Sequence, residues 1–142
     1  MNTIHQLLKS KGNDVWSIHP DATVYDAIHL MAEKQIGALL VMEGDKLVGV
    51  MSERDYARQV ILKGRASDTT PVKDIMTARV VYAPTDQTIE QSLKLMTGKR
   101  IRHLPIMDDG KVVGVISMGD LVKAIIAEQQ LTIEELERYI AG

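Results

Sequence analysis

The chain contains one pattern twice, and this internal repeat limits its fold more than any other feature. Residues 23–56 align with residues 88–121 at a constant offset of 65 positions, without a gap, and 13 of the 34 aligned pairs are identical. The two copies agree best near their ends, where residues 46–55 read KLVGVMSERD and residues 111–120 read KVVGVISMGD. Such self-similarity predicts two similar half-domains. Because two packed copies of one fold create paired clefts about an approximate twofold axis, we expect the function to lie in those clefts.

The same order of secondary structure is predicted in both copies. Thr23 and Thr88 are suited to cap the start of a helix, and apolar residues at helical spacing follow each of them. Two short apolar runs separated by turn residues then predict a β-hairpin, and a further helix follows. These hairpin strands are predicted at 36–42, 47–51, 101–107 and 112–116. With a first strand at Val15–Ile18 or Val80–Tyr82, each unit is β-α-β-β-α, which makes the protein an α/β (α+β) fold.

The segments outside the repeats predict the domain limits. A polar stretch rich in breakers, residues 63–71, separates the copies. We therefore predict a first domain over residues 1–66, a second over 67–128 and a C-terminal helix over 129–142. Short amphipathic helices at Ile4–Leu8 and Val72–Met76 are predicted to introduce the first and second repeats.

The C-terminal segment predicts an additional helix that begins with a capping box at Thr132. Ile133, Leu136, Tyr139 and Ile140 share one face of this helix. An apolar face at a chain end needs a cover. Two interpretations remain open, a lid over the core of the same chain and a contact with another subunit.

Composition and charge exclude several classes of function. A net charge of −2 from 17 basic and 19 acidic residues gives no reason to expect duplex DNA as a partner. The chain has no cysteine, so it has neither a disulfide framework nor a thiolate site. Its first residues lack the pattern of a secretory signal, and no apolar run approaches the roughly 18 residues of a membrane span. We predict a cytoplasmic protein without membrane contact.

The pairs Ser52 and Asp55, and Ser117 and Asp120, are the most informative polar residues, because each pair lies where a predicted strand ends and a helix begins. One interpretation is structural: serine caps the helix and the acid complements the helix dipole. The other is functional, because a helix N-terminus with a free hydroxyl suits a phosphate, and a carboxylate one turn later can accept both hydroxyls of a ribose.

The order of strand, glycine and Ser-x-x-Asp, repeated after 65 residues, resembles a tandem pair of cystathionine β-synthase (CBS) domains, also called a Bateman module. The resemblance covers nearly the whole chain, including residues 74–77, DIMT, which are similar to the usual lead-in of such a domain. It implies a site for an adenosine ligand such as AMP, ADP, ATP, NAD(H) or S-adenosylmethionine. It also implies a ribose role for Asp120 and Asp55 and a phosphate role for Ser117 and Ser52.

The two copies differ beside this motif. The second repeat has Arg102 and His103 at the start of its first hairpin strand, where the first repeat has Gly37 and Ala38. In related regulatory subunits such basic residues face the bound phosphates, and Arg102 and His103 are suited to donate to them. A solvated arginine and an ordinary hydrogen-bonded histidine are the structural alternatives. Pro105 suits a strand edge and is counted with the ligand site.

The first repeat has its own basic residues, Arg54 and Arg58. At a spacing of four they are expected to share a helical face that reaches phosphates, although a solvated face explains them equally well. The adenine pocket is expected to be apolar. Its candidate residues, which would suit any core equally well, are Val80, Tyr82, Ile101 and Ile116.

No catalytic pattern is visible, since the four histidines have no metal-ligand spacing and the motifs of hydrolases, metalloproteases and P-loop proteins are absent. We predict a regulatory module without enzyme activity or catalytic cofactor that senses energy or redox state through an adenine nucleotide. The family usually forms disc-shaped homodimers, and the effector would be another, unknown protein. The alternatives are a ligand-free scaffold and, less compatible with the charge and the few aromatic residues, a nucleic-acid binder.

Overall fold

The computed structural model describes residues 2–141, and its secondary structure follows the repeat. In chain order the helices and strands are α1 (Ile4–Lys11), β1 (Ser17–Ile18), α2 (Val24–Lys34), β2 (Ala38–Glu43), β3 (Lys46–Ser52), α3 (Glu53–Tyr56), β4 (Ala83–Pro84), α4 (Ile89–Lys99), β5 (His103–Asp108), β6 (Lys111–Ser117) and α5 (Met118–Ala141). A π-helical turn at Ala57–Ile61 continues α3, and a 3-10 turn lies at Val72–Asp74. The predicted α/β fold with two β-α-β-β-α repeats is confirmed.

Each repeat forms its own three-stranded sheet, in the orders β1-β2-β3 and β4-β5-β6. The first strand runs parallel to the middle strand, and the middle strand pairs antiparallel with the third. Three consecutive residues of each middle strand are buried, at 39–41 and 104–106. Equal burial at equivalent positions shows that the sequence repeat is also a repeat of the core.

The first strand of the second repeat differs from its prediction. It was expected at Val80–Tyr82 but lies at Ala83–Pro84. In the first sheet, the Leu40 N–H donates to the Trp16 carbonyl at 3.3 Å. The equivalent of Leu40 is Pro105, which has no N–H to donate, so the parallel pairing with β5 begins further along the chain.

The described chain groups into two compact units, which we call the repeat-one unit (residues 15–81) and the repeat-two unit (residues 2–14 and 82–141). Helix α1 was expected to introduce the first repeat, but it belongs to the repeat-two unit. The backbone N–H groups of Ile4 and His5 donate to the carbonyls of Gln87 and Thr85, both at 2.9 Å. Leu8 of this helix packs against Gly114 of β6. The expected assignment of this helix to the first repeat is therefore wrong.

The segment before the second repeat shows the complementary arrangement. The expected helix at Val72–Met76 is only a 3-10 turn over Val72–Asp74, and it belongs to the repeat-one unit. The Val72 N–H donates to the Ala22 carbonyl at 2.8 Å, and Val72 and Ile75 are buried in the core of that unit. Each lead-in segment therefore completes the unit of the other repeat.

The helix starts at Thr23 and Thr88 are confirmed. The Asp26 N–H donates to the hydroxyl oxygen of Thr23 at 3.1 Å, and the Gln91 N–H donates to that of Thr88 at 3.0 Å. The Gln91 side chain also accepts from the Thr88 N–H at 3.0 Å, which completes the predicted capping box. Both helices therefore begin at equivalent positions of the two repeats.

The C-terminal segment is helical as predicted, but it continues α5, which runs for 24 residues without a break. The predicted helix start at Thr132 is wrong. Its hydroxyl donates to the Glu128 carbonyl at 3.0 Å, as a threonine in the interior of a helix can do. Every described residue after Ile125 is exposed, so the interpretation of this segment as a lid over the core is wrong.

Candidate functional site

The motif of the second repeat lies at the junction of β6 and α5. The Asp120 N–H donates to the Ser117 hydroxyl oxygen at 3.1 Å, and the Ser117 N–H donates to Asp120 Oδ2 at 2.8 Å. This reciprocal pair caps the start of α5. Within residues 2–141, Asp120 Oδ1 accepts no hydrogen bond, so the carboxylate keeps an oxygen for a further donor.

The strand pairing places the predicted basic residues beside this cap. His103 lies opposite Ser117 in the register of β5 and β6. The Met118 N–H donates to the Arg102 carbonyl at 2.8 Å, which ties the backbone of Arg102 to the first turn of α5. Ser117, Asp120, Arg102 and His103 therefore lie together in one unit, as the sequence predicts.

The first repeat has the same backbone arrangement without the basic side chains. Ala38 lies opposite Ser52, and the Glu53 N–H donates to the Gly37 carbonyl at 3.1 Å. The Ser52 N–H and hydroxyl donate to Asp55 Oδ2 at 2.8 and 3.1 Å. The two motifs therefore share a backbone frame but differ in the charge around it.

A residue that the sequence analysis missed contacts the second motif. Lys11, near the end of α1, donates from Nζ to Asp120 Oδ2 at 2.6 Å and to the Val115 carbonyl at 2.6 Å. The side chains of Lys11 and Asp120 are 35% and 20% exposed, so the pair is only partly open to solvent. No spacing rule connects two residues 109 positions apart, and Lys11 reaches this site because α1 belongs to the repeat-two unit.

These contacts lower the pKa of the Asp120 carboxyl below its ordinary value. Partial burial by itself raises this pKa, but the hydrogen bonds from Lys11 Nζ and from the Ser117 N–H, with the positive charge of Lys11, outweigh that effect. Asp120 is therefore a carboxylate at neutral pH, as a group that accepts ribose hydroxyls must be.

The pKa of His103 is also lowered. Burial is the main cause, because it disfavours the charged imidazolium, and the positive charges of Lys11 and Arg102 act in the same direction while Asp120 opposes them. At neutral pH His103 is therefore a neutral imidazole that can donate one hydrogen bond and accept another. An arriving phosphate would favour the protonated form.

The basic residues of the first motif lie where the helix changes its type. Helix α3 ends at Tyr56, and the chain continues as a π-helical turn that contains Arg58. The Leu62 N–H donates to the Ala57 carbonyl at 3.1 Å, a bond across five residues. Because two side chains four residues apart lie on nearly the same side of a π-helical turn as well, the shared face of Arg54 and Arg58 stays a prediction. Both arginines are exposed.

The predicted adenine-pocket residues differ in exposure. Ile116 is fully buried and Pro105 is buried in the repeat-two unit, whereas Tyr82 of the same unit is 59% exposed. Ile101 is half-buried just before β5. Val80 belongs to the repeat-one unit and is half-buried there. Tyr82 and Ile101 thus retain surface for a ligand, and the role of all five as a pocket stays a prediction.

The described residues form neither a metal site nor a membrane-spanning helix. No group of three or more histidine, aspartate or glutamate side chains within residues 2–141 is arranged to hold a metal ion. None of the helices in this part of the chain combines the length and the hydropathy of a transmembrane span. The polar residues at the start of α5 are therefore the best-defined candidate site.

Comparison with known proteins identifies the family. The CBS domain profile matches residues 10–61 and 72–127, so the chain belongs to the CBS domain family and carries the domain twice. The mitochondrial CBS domain-containing protein CBSX3 of Arabidopsis thaliana is 37% identical over 99% of the chain, which spans 72% of that protein. The resemblance drawn from the repeat is confirmed.

Solved structures show the same tandem arrangement. A putative signal-transduction protein with CBS domains from Burkholderia ambifaria is 50% identical and superposes with a TM-score of 0.86, covering 89% of this chain and 96% of that one. The CBS domain pair of protein MJ0100, in complex with 5-methylthioadenosine and S-adenosylmethionine, superposes with a TM-score of 0.79 over 89% of this chain and 97% of that one. At 20% identity that second likeness shows the fold alone.

Proposed function

We propose that the protein is a regulatory module that binds a phosphate-bearing adenosine ligand, AMP, ADP, ATP or NAD(H), without turning it over. The observation that carries this proposal is the cap at the start of α5, where Ser117 and Asp120 lie beside Arg102 and His103. A helix N-terminus with an arginine favours phosphate, and the open oxygen of Asp120 suits a ribose hydroxyl. The ligands of the MJ0100 pair agree with the adenosine part of this proposal only, because neither of them carries a phosphate.

Ser52 and Asp55 form a second, weaker site in this proposal. Their backbone frame matches that of Ser117 and Asp120, but Gly37 and Ala38 supply no cation there. A phosphate at this site would depend on Ser52, the helix start and the exposed Arg54 and Arg58. We therefore propose that the second repeat provides the tighter binding event, and that ligand binding changes the state of the module as a signal of energy or redox state.

Calorimetry on nucleotide-stripped protein tests the function. AMP, ADP, ATP, NAD⁺, NADH and S-adenosylmethionine are titrated into the wild type, Asp120→Ala, Asp55→Ala and, as a matched control, Asp86→Ala, an exposed aspartate of the repeat-two unit. We expect micromolar binding of at least one phosphate-bearing ligand. Asp120→Ala should abolish the tighter event, because the ribose loses its acceptor, while Asp55→Ala and Asp86→Ala should spare it.

Other results would contradict the proposal at different levels. Equal losses in Asp120→Ala and Asp55→Ala would remove the asymmetry between the two sites. If no ligand bound to the wild type, the two motifs would be helix caps only and the protein a ligand-free scaffold. Turnover of any bound nucleotide would contradict a purely regulatory role.

The proposed assembly is a homodimer that acts on a separate effector protein in the cytoplasm. The support within the chain is the C-terminal part of α5, where Ile126, Ile133, Leu136, Tyr139 and Ile140 are each at least 48% exposed. Apolar side chains in such a row on one helix are a common subunit contact.

A further inference from the structure

The ammonium group of Lys11 donates a hydrogen bond to the carboxylate of Asp120, which the proposed function assigns to the ribose. Lys11 Nζ lies 2.6 Å from Asp120 Oδ2 and 2.6 Å from the Val115 carbonyl oxygen. Asp120 Oδ2 also accepts from the Ser117 N–H at 2.8 Å. A ribose that takes both oxygens of Asp120 must therefore displace Lys11 from Oδ2.

Asp55 of the first repeat forms no such ion pair with any residue from 2 to 141. Within the described residues, the hydrogen bonds to Asp55 Oδ2 come from the N–H and the hydroxyl of Ser52 alone. A ligand at Asp55 would compete only with the serine that caps the helix. The lysine contact therefore distinguishes the two motifs in the same way as Arg102 does, by adding positive charge to the second.

Displacement of Lys11 has a cost that depends on the ligand. A neutral nucleoside that binds Asp120 Oδ2 leaves the Lys11 ammonium without its anion. This loss has a cost because the two side chains are only partly open to solvent. A nucleotide brings its own anion close to the same helix start, and the flexible lysine side chain can turn to it. Breaking the ion pair is then offset by a new charge-assisted contact.

We propose that Lys11 is a specificity-determining residue of the second-repeat site: it holds Asp120 in the free protein and makes the site select adenosine ligands that carry phosphate over neutral nucleosides. This proposal rests on the proposed function. It concerns the choice between ligands, whereas the proposed function concerns whether an adenosine ligand binds at all.

The test compares adenosine, AMP and ATP by calorimetry on the wild type, Lys11→Met, Lys11→Arg and Lys9→Met. Methionine keeps the apolar stem of lysine without its charge, and Lys9 is an exposed lysine in the same last turn of α1. Lys11→Met should tighten adenosine binding by about two- to fivefold, the range expected for a partly exposed ion pair. It should weaken ATP binding by about tenfold, because a charge-assisted phosphate contact is lost.

The ratio of adenosine to ATP dissociation constants is the decisive quantity. It should fall in Lys11→Met, stay high in Lys11→Arg, which keeps the charge, and be unchanged in Lys9→Met. An unchanged ratio in Lys11→Met would overturn the role of Lys11. So would an equal loss of affinity for adenosine and ATP in a Lys11→Met variant that keeps the thermal midpoint of the wild type. Either result would leave the proposed function intact. A wild type that binds none of the three ligands would overturn the role of Lys11, and one that also binds neither ADP nor NAD(H) would overturn both.

Discussion

At the scale of single residues, Gly49 and Gly114 show why both repeats have a glycine at the same position of the third strand. A Cβ atom at Gly114 would lie 2.6 Å from Leu8 Cδ2 of α1. A Cβ atom at Gly49 would lie 2.5 Å from Met76 Sδ and 3.1 Å from the Thr77 carbonyl oxygen. The absence of a side chain at each glycine thus leaves room for the lead-in segment that completes its unit.

Replacement of these glycines by alanine should destabilise the protein. We expect Gly49→Ala and Gly114→Ala to lower the free energy of unfolding by about 1–3 kcal/mol, the usual effect of overpacking. Gly49→Ala should be the more harmful, because a backbone carbonyl, which cannot turn aside, is among its contacts. Urea unfolding of both variants measures this.

Gly98 provides the matched control for that experiment. It lies in the last turn of α4, and a Cβ atom there would meet nothing within 4 Å. Gly98→Ala should therefore raise the free energy of unfolding by about 0.5–1 kcal/mol through helix propensity. If Gly49→Ala and Gly114→Ala behaved like Gly98→Ala, the close approach of Met76 and Leu8 would not be a constraint on the fold.

Sequence reasoning at this scale identified the motif residues but missed a partner. Ser117, Asp120, Arg102 and His103 could be predicted to lie together because the hairpin and the helix that follows it are local in sequence. Lys11 could not, because its contact depends on which unit receives α1. Local patterns carry no information on that choice.

At the scale of secondary structure, α5 shows how a local signal can mislead. The sequence from Thr132 to Glu135 reads as a capping box, yet the helix passes through it without interruption. The preceding residues 118–131 contain no proline and one glycine, so nothing in them ends the helix that starts after Ser117. A capping pattern marks a helix start only where the preceding chain leaves the helix.

Thr132→Ala distinguishes a helix start from a helix interior. Within a continuous α5, alanine should raise local helix stability by about 0.5 kcal/mol, because threonine is the poorer helix former and no cap is lost. Hydrogen exchange of the amides of residues 128–136 measures this directly. Faster exchange in the variant would indicate that Thr132 does cap a separate helix.

At the scale of the whole molecule, the exposed face of α5 predicts self-association. Light scattering after size-exclusion chromatography should show a dimer for the wild type. Leu136→Glu should shift it towards monomer, because a charge in an apolar contact must be desolvated without a partner. Leu136 is 57% exposed in the single chain, so the substitution should leave the fold of each chain intact.

Arg138→Glu is the control, because it adds the same residue on the opposite side of the helix from Leu136. It should remain dimeric. A wild type that is monomeric at a protein concentration of tens of micromolar would contradict a subunit contact through this face. A Leu136→Glu variant that is as dimeric as the wild type would contradict it as well.

The repeat, the order of elements within it and the residues of the Ser-x-x-Asp motifs could all be predicted from the amino-acid sequence. These features depend on apolar periodicity, caps and turns, which act between residues close in the chain. Thr23 and Thr88 cap their helices as predicted for this reason.

Three features could not be predicted in this way: which unit each lead-in segment completes, where β4 begins, and the contact between Lys11 and Asp120. Helix α1 and Val72–Asp74 are short amphipathic segments, and their sequence patterns would allow each of them to cover either repeat. The choice depends on contacts with distant residues such as Gly114 and Ala22. Packing of that kind is a property of the folded chain, and no local pattern encodes it.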